Sequence, residues 1–324
     1  MSAFTDARST PGVKGAAGTD DRELYLIEFG GLVITAYDEK MDYQDLHHVK
    51  QIEQGKANTF PIVGRKRDAE EHIPGERILG GKIEHNEVVI DLDKMLFDSV
   101  FVAEVDEKMI HYDLTQAYAS QLGQSLASTQ CRRIAIMHIL ASRDVADVPQ
   151  GQPTPAYAYA ADMKTNGASL EAVYFAAQEY FRVNDMSGDT PKVLLPHKQH
   201  LLLSRFTGIE GGPVTTGSGN RASGTIGDIA GLATQGTNHI PNTNITGGPA
   251  KYRGNFSTTV GHVSNKWAVG TLESRGMKVQ TIPQPDRLGM LMIASMFNGH
   301  GILRPENSIE IRTDAIGGRT ALAL

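Results

Sequence analysis

Cysteine is almost missing from this chain of 324 residues: Cys131 stands alone. One thiol excludes an intrachain disulfide framework and any multi-cysteine metal site, and it fits an intracellular folding compartment. A basic surplus is also missing. The formal net charge is −6, which gives no global argument for nucleic-acid recognition. No window approaches the roughly 18 unbroken apolar residues of a membrane span. The opening MSAFTDARSTPGVKGAAGTDD lacks the apolar core of a secretory signal, so residues 1–22 read as a polar arm. Aromatics are sparse at 6%, yet 40% of the residues are hydrophobic, enough to bury a core.

What is present is a mixture of helix and strand patterns without a βαβ rhythm, which predicts an α+β fold. From Glu23 to Lys40 an apolar stretch breaks at Gly30-Gly31. A ribbon from Ala57 to Asp91 follows, carrying the basic knot Arg65-Lys66-Arg67 and turn signals at Pro74-Gly75 and Gly80-Gly81. In its second half Val88 and Ile90 alternate with Glu87 and Asp91, and Val89 interrupts the alternation. A two-stranded ribbon is marginal in water by itself, so this one requires something to lie on. His111 to Arg143 then reads as one long helix. Asp113 is its cap, with Gln116 three residues on, and Leu114, Tyr118, Leu122 and Leu126 recur every fourth residue. Its middle, Ser128 to Arg133, is thinly apolar. VPQGQPTPAYAY, from Val148, is a boundary. Ser169 caps a second helix with Ala172, Phe175, Ala176 and Tyr180 on one face. PKVLLP is a buried strand, HKQHLLLSRF a short helix, KWAVGTLESRGMKVQTIP strands, PDRLGMLMIASMF a third helix and SIEIRT a last strand. Nine glycines between Gly208 and Gly236 mark an irregular loop.

A catalytic constellation does not emerge. GERILGGKI misses the phosphate-loop spacing by one, and Ile83 stands where a magnesium ligand belongs. GSGNRA at Gly217 follows no apolar strand and opens no apolar helix. His85-Asn86-Glu87 lacks the cysteine half of a zinc deaminase motif. His47-His48 and His197/His200 have no acidic co-ligand nearby. Cys131 precedes Arg132-Arg133, but within a helix, where packing is its expected role. Asp91 and Asp93, expected on one strand face, form the only carboxylate pair that suggests acid–base work. The reading is of a structural protein with no catalytic residues, metal or cofactor. A metal-assisted hydrolase using Asp91, Asp93 and a histidine is the rival from another class.

Three stretches in order carry a resemblance: GKANTFPIVGR with IPGERI (Gly55–Ile78), HYDLTQAYASQLGQSLA (His111–Ala127) and GHGILRPE (Gly299–Glu306). FGGLVITAY and HVSNKWAVGTL fit the same pattern more loosely. Together they resemble the major capsid proteins of short-tailed, T-seven-like bacteriophages. The resemblance implies the tailed-phage capsid fold of the Hong Kong 97 type. Residues 1–56 would be the N-terminal arm, 57–91 the E-loop, and 92–148 the peripheral domain with its spine helix. Residues 149–255 would be the axial domain, 256–283 return strands of the peripheral domain, and 284–324 an axial return helix, strand and C-terminus.

The resemblance also implies sites and partners. Phe60, Pro61, Arg65, Lys66, Arg67, Glu70, Glu71, Glu76 and Arg77 would meet a neighbouring subunit through the E-loop. Asp113, Leu114, Tyr118, Leu122, Gly123 and Leu126 would build the spine, with another element closely approaching Gly123. Gly299, His300, Gly301, Arg304 and Glu306 would form an axial-domain turn, with the glycines permitting the bend and Arg304 anchoring a loop. Implied partners are further copies in hexamers and pentamers, a scaffolding protein, a portal vertex, a decoration protein and packaged double-stranded DNA bound without sequence specificity. No membrane partner is implied. Lys66 and Lys82 lie in the loop that carries crosslinks in some relatives, but crosslinking is not expected here. An encapsulin-type nanocompartment shell shares the fold and is the close alternative.

Overall fold

The computed structural model describes residues 21–66, 69, 71–72, 74–75, 77, 80, 82–103, 115–186, 190–205, 215–216, 224 and 226–324; the side chains of 21–28, 115 and 215–216 stand outside that description. The fold is α+β. Its helices are α1 (Asp21–Lys40), α2 (Thr115–Ala141), α3 (Gly167–Val183) and α4 (His197–Arg205). The strands used below are β1 (His48–Gln51), β2 (Ala57–Val63), β3 (His85–Asp91), β4 (Leu96–Ala103), β5 (Ala156–Tyr159), β6 (Lys192–Leu195), β7 (Ala233–Gly236), β8 (Thr259–Ser264), β9 (Val269–Gln284), β10 (Gly289–Ile302), β11 (Ser308–Arg312) and β12 (Thr320–Ala321). The chain divides into two compact units. One comprises residues 1–41, 95–128 and 275–297, the other 42–94, 129–274 and 298–324.

In the first unit Phe29 and Val33 of α1 pack with Ala119, Leu122 and Leu126 of α2 and with Met292, Ala294 and Met296 of β10. The helical contributors sit three, four or seven residues apart, one face of a helix, while the strand contributors sit two apart. Two expectations fail here. First, α1 does not break at Gly30-Gly31 but runs through both glycines. Each glycine costs about 1 kcal/mol against alanine in a helix, and burial of Phe29 and Val33 offsets this. Second, 289–297 is strand, not a third helix. Residues 285–288 turn the chain, with Leu288 at φ 47°, and β10 then pairs antiparallel with β4 from Gly289↔Ala103 to Met296↔Leu96. Met290, Met292, Ala294 and Met296, at every second position, carried this period, and the helix reading overlooked it.

The second unit is built on a mixed sheet in the order β12-β5-β11-β8-β6-β7. Its core joins Val193, Leu195, Val260, Val263, Ile309 and Ile311 to the inner face of α3. That face is Leu170, Val173, Tyr174, Ala177, Tyr180 and Phe181; of the expected face Ala176 and Tyr180 are buried and Ala172 is half-buried, while Phe175 is 49% exposed. The cap of α3 is Asn166, whose side chain accepts from Ala168 N at 3.0 Å; Ser169 instead donates to Asp162. The strand at 192–195 and helix at 197–205 stand where the sequence placed them.

The long helix is present as Thr115–Ala141; Asp113 and Leu114 lie outside the described residues. Tyr118 is half-buried, and Leu122, Gly123 and Leu126 are buried. Thr129 and Arg132 are exposed while Gln130 and Cys131 are buried, so the thin middle is amphipathic at single-residue resolution. From Ile134 to Ile139 every residue is buried, a stretch enclosed on all sides. At Gly123 an added Cβ would stand 2.5 Å from Val33 O and 2.9 Å from Tyr37 N, so α1 is the close approach expected there. Because those atoms are backbone, no rotamer change relieves the clash. Gly123→Val is expected to lower subunit stability by about 1–3 kcal/mol. A urea midpoint equal to wild type would contradict this packing.

Candidate assembly surface

The E-loop candidates fall into three groups. β2 and β3 pair antiparallel from Ala57↔Asp91 to Val63↔His85. Pleating sends Phe60, Ile62 and Ile90 inward, where they join Ile52, Leu272 and Leu303 in a buried cluster. Phe60 is 4% exposed and belongs to the root of its own subunit. It is therefore not a free contact residue as expected, because its position on β2 faces the core. Lys50 adds to the root, donating to Thr59 O at 2.8 Å and lying over the Phe60 ring. Arg65 is also engaged at home: it pairs with Asp185 at 2.7 Å and donates to Asn184 O at 3.1 Å. Pro61, Lys66, Glu71 and Arg77 are exposed, as are Val63 and Val89. Arg67, Glu70 and Glu76 lie outside the described residues.

The axial-turn candidates also divide. Gly299, His300 and Gly301 do not form a bend; they continue β10 to Ile302. Glycine is needed at 299 because a Cβ would run into the backbone of Asp91 and Leu92, and at 301 because it would stand 2.8 Å from Ile90 Cγ1. Close passage of the end of β3 is therefore the cause, not flexibility. The chain turns just after, through the 3₁₀ helix Pro305–Asn307, and Leu303 N bonds Ala268 O at 3.0 Å. Arg304 reaches Val63 O at 3.4 Å and Glu306 at 3.8 Å, which supplies the loop anchorage expected of it. Arg65 comes together with Arg304 and Glu306, far from it in sequence, around a cavity of about 290 Å³, with Asp185, Asn265 and Trp267 also on its wall.

Asp91 and Asp93 do not share a strand face. Asp91 is the exposed last residue of β3. Asp93 lies past the strand, where Lys251 Nζ approaches at 2.6 Å, Tyr252 Oη donates at 2.5 Å and Arg133 stands at 3.6 Å. This carboxylate is neutralised by two cations and ties elements together, which removes the geometric basis of the hydrolase reading. His197 and His200 both face Gly236, and burial together with the His197 charge pushes His200 down. Among the described residues, no group of three or more His, Cys, Asp or Glu side chains is placed to hold a metal, and no helix is long and apolar enough to cross a membrane. Cys131 is fully buried, and burial pushes its thiol up to about 11, against any lowering by Arg132-Arg133. GSGNRA at Gly217 lies outside the described residues.

Sequence reasoning missed Asn184, Asp185 and Trp267, which reach the Arg65–Arg304 region from α3's end and from β9's approach. Nothing in their local spacing pointed there.

A family model described as Gp10A-like major capsid protein matches residues 59–312. The chain is similar to the major capsid protein of Escherichia phage T7, 38% identical over 117 residues, or 35% of this chain and 34% of that one. It thus spans about a third of the length of that curated relative. Among solved structures it is similar to a chain in the capsid of the cyanophage P-SCSP1u, at 31% identity and a TM-score of 0.73, covering 96% of this chain and 100% of that one. A chain of the mature capsid of bacteriophage PhiM1 has a TM-score of 0.69 over 85% of this chain and 87% of its own; at 15% identity the likeness is one of fold.

Proposed function

The chain belongs to the Gp10A-like major capsid protein family and has the tailed-phage capsid fold of the Hong Kong 97 type, and from that premise we propose that it forms the icosahedral shell of a phage head. In this reading copies assemble as hexamers and pentamers into a procapsid around a scaffolding protein, with a portal at one vertex. The procapsid then expands as double-stranded DNA enters, and a decoration protein has room on the outside. The observation that carries the reading is the β2–β3 ribbon. Its root is locked into its own subunit by Phe60, Ile62 and Ile90, while its outer face presents Pro61, Val63 and Val89 and the segment between its strands carries the exposed charges Lys66, Glu71, Arg77 and Lys82. A rooted lever of that kind suits contact with a neighbour.

The remaining assignments follow the same reading. α2 acts as the spine, bracing a thin tile. The unit around the mixed sheet contains the axial domain, and residues 1–56 are the arm. A net charge of −6 suits a container for a polyanion, since a strongly basic wall would hold its phosphates.

Reversing three exposed charges, Lys66→Glu, Arg77→Glu and Lys82→Glu, tests the ribbon's role. The triple variant should keep the stability of the dispersed subunit within about 0.5 kcal/mol per site. Co-expressed with the scaffolding partner, it should yield far fewer fast-sedimenting particles than wild type. An undiminished particle yield would overturn the proposed contact.

A further inference from the structure

The tip of the β9–β10 hairpin holds a side chain that neither its backbone nor its own packing favours. Residues 285–288 close the hairpin, with Arg287 N donating to Gln284 O at 3.1 Å. Leu288 then sits at φ 47°, in the left-handed region. Glycine or asparagine ordinarily fills such a position, and a bulky side chain there is strained. Packing does not offset the strain, because Leu288 is 65% exposed. Its surroundings are apolar as well: Ile282 and Met290 are 43% and 40% exposed, and Pro283 and Pro285 are exposed beside them. Asp286 and Arg287 stand next to each other on the same tip, both exposed, and neither side chain has a hydrogen bond or ion pair among the described residues. Strain of this kind persists where the strained residue has a use.

We propose that this tip is a contact between copies of the chain, in which the hairpin of one subunit meets the same hairpin of another about a symmetry axis. Leu288 is its apolar anchor, and Asp286 of one copy pairs with Arg287 of the next. A second copy is the partner because the patch complements itself. Opposite charges side by side, set among apolar residues, place acid against base and apolar against apolar when the tip is turned onto its own image. The contact rests on the shell reading above and is separate from the β2–β3 ribbon.

Three variants test the contact. Leu288→Asn removes the apolar anchor, and asparagine tolerates the left-handed position. Dispersed full-length protein carrying it should melt no lower than wild type, because Leu288 is not packed into its own subunit; a lower melting temperature would overturn the proposal. Co-expressed with the scaffolding partner, Asp286→Arg should cut the yield of fast-sedimenting particles about ten-fold, since like charges then meet across the contact. The exchange of Asp286→Arg together with Arg287→Asp restores opposite charges and should recover most of that yield, a rescue that a role within one subunit would not produce. Undiminished yield in Asp286→Arg, or no recovery in the exchange, would overturn the contact and leave the shell reading intact, since wild-type particles form in the same experiment. Absence of particles from wild type would overturn the shell reading and the contact with it.

Discussion

Glu310→Ala is expected to remove about 3–5 kcal/mol of subunit stability, the cost of breaking a buried ion pair from one side. Glu310, on β11, is 0% exposed. Arg143, just past the end of α2, grips it with two bonds, at 2.5 and 3.0 Å. Arg319 donates at 3.1 Å, Arg312 at 3.2 Å and the Thr259 hydroxyl at 2.7 Å. One carboxylate therefore fastens the end of α2, β8, β11 and the C-terminal segment. Its loss leaves guanidinium groups buried without their anion; Arg312 and Arg319 are only 5% and 3% exposed. Domains are stable by only about 5–15 kcal/mol in total, so the variant should accumulate as insoluble protein, and any soluble fraction should unfold at markedly lower urea. A midpoint corresponding to less than about 1 kcal/mol of loss would show that the cluster is dispensable.

Mild acid should unfold the subunit, through histidines rather than carboxylates. His138, His262 and His300 are each no more than 1% exposed. His138 and His262 stack on each other at 5.4 Å between centroids, and Tyr43 stacks against both. His138 Nε2 donates to Leu46 O at 2.8 Å, which leaves its Nδ1 bare, and neither nitrogen of His262 has a partner among the described residues. Burial pushes His262 down to about 3 and holds His138 and His300 well below the ordinary histidine range. The Glu310 charge opposes the shift at His262, while the His262 charge reinforces it at His138.

The sign follows from proton binding. Below about pH 6.5 the unfolded chain takes up protons that the folded chain refuses, so stability is complete above that pH and falls as pH drops towards the folded values. Each histidine contributes about 1.4 kcal/mol per pH unit, so three remove about 4 kcal/mol by pH 5.5. Glu310 acts in the same direction at lower pH. Burial alone would raise its carboxyl, but the hydrogen bonds from Arg143 and Thr259 and the charges of Arg143 and Arg312 hold it below the usual range, so its contribution disappears as pH falls through that lowered value. Thermal melts of dispersed protein between pH 7.5 and 5.5 should show a steep fall in Tm, reduced in His262→Phe. A flat profile would contradict the histidine account.

The features legible in sequence were those with a local signature. Leu122 and Leu126 announce α2 through their spacing, and Gly123 announces a crowded helix because glycine otherwise weakens one. Alternation marked β3. The failures were set at long range. Gly30-Gly31 reads as a break until Phe29 and Val33 find α2 and β10. Residues 289–297 are apolar enough for either period, and pairing with β4 makes them strand. Gly299 and Gly301 suggested a bend because the proximity of Asp91 and Ile90, over two hundred residues away in sequence, leaves no trace nearby. For the same reason Phe60 could be placed on the ribbon but not on its inner face, and the cavity that gathers Arg65, Trp267 and Glu306 was invisible.

The central claim, that this chain is the tile of a closed shell, is tested most directly by electron microscopy of the protein co-expressed with its scaffolding partner. The account predicts uniform closed particles with hexameric and pentameric units, and the outer face of each β2–β3 ribbon resting on the adjacent subunit. Only dispersed subunits in the presence of the partner, or shells whose ribbons touch no neighbour, would contradict it.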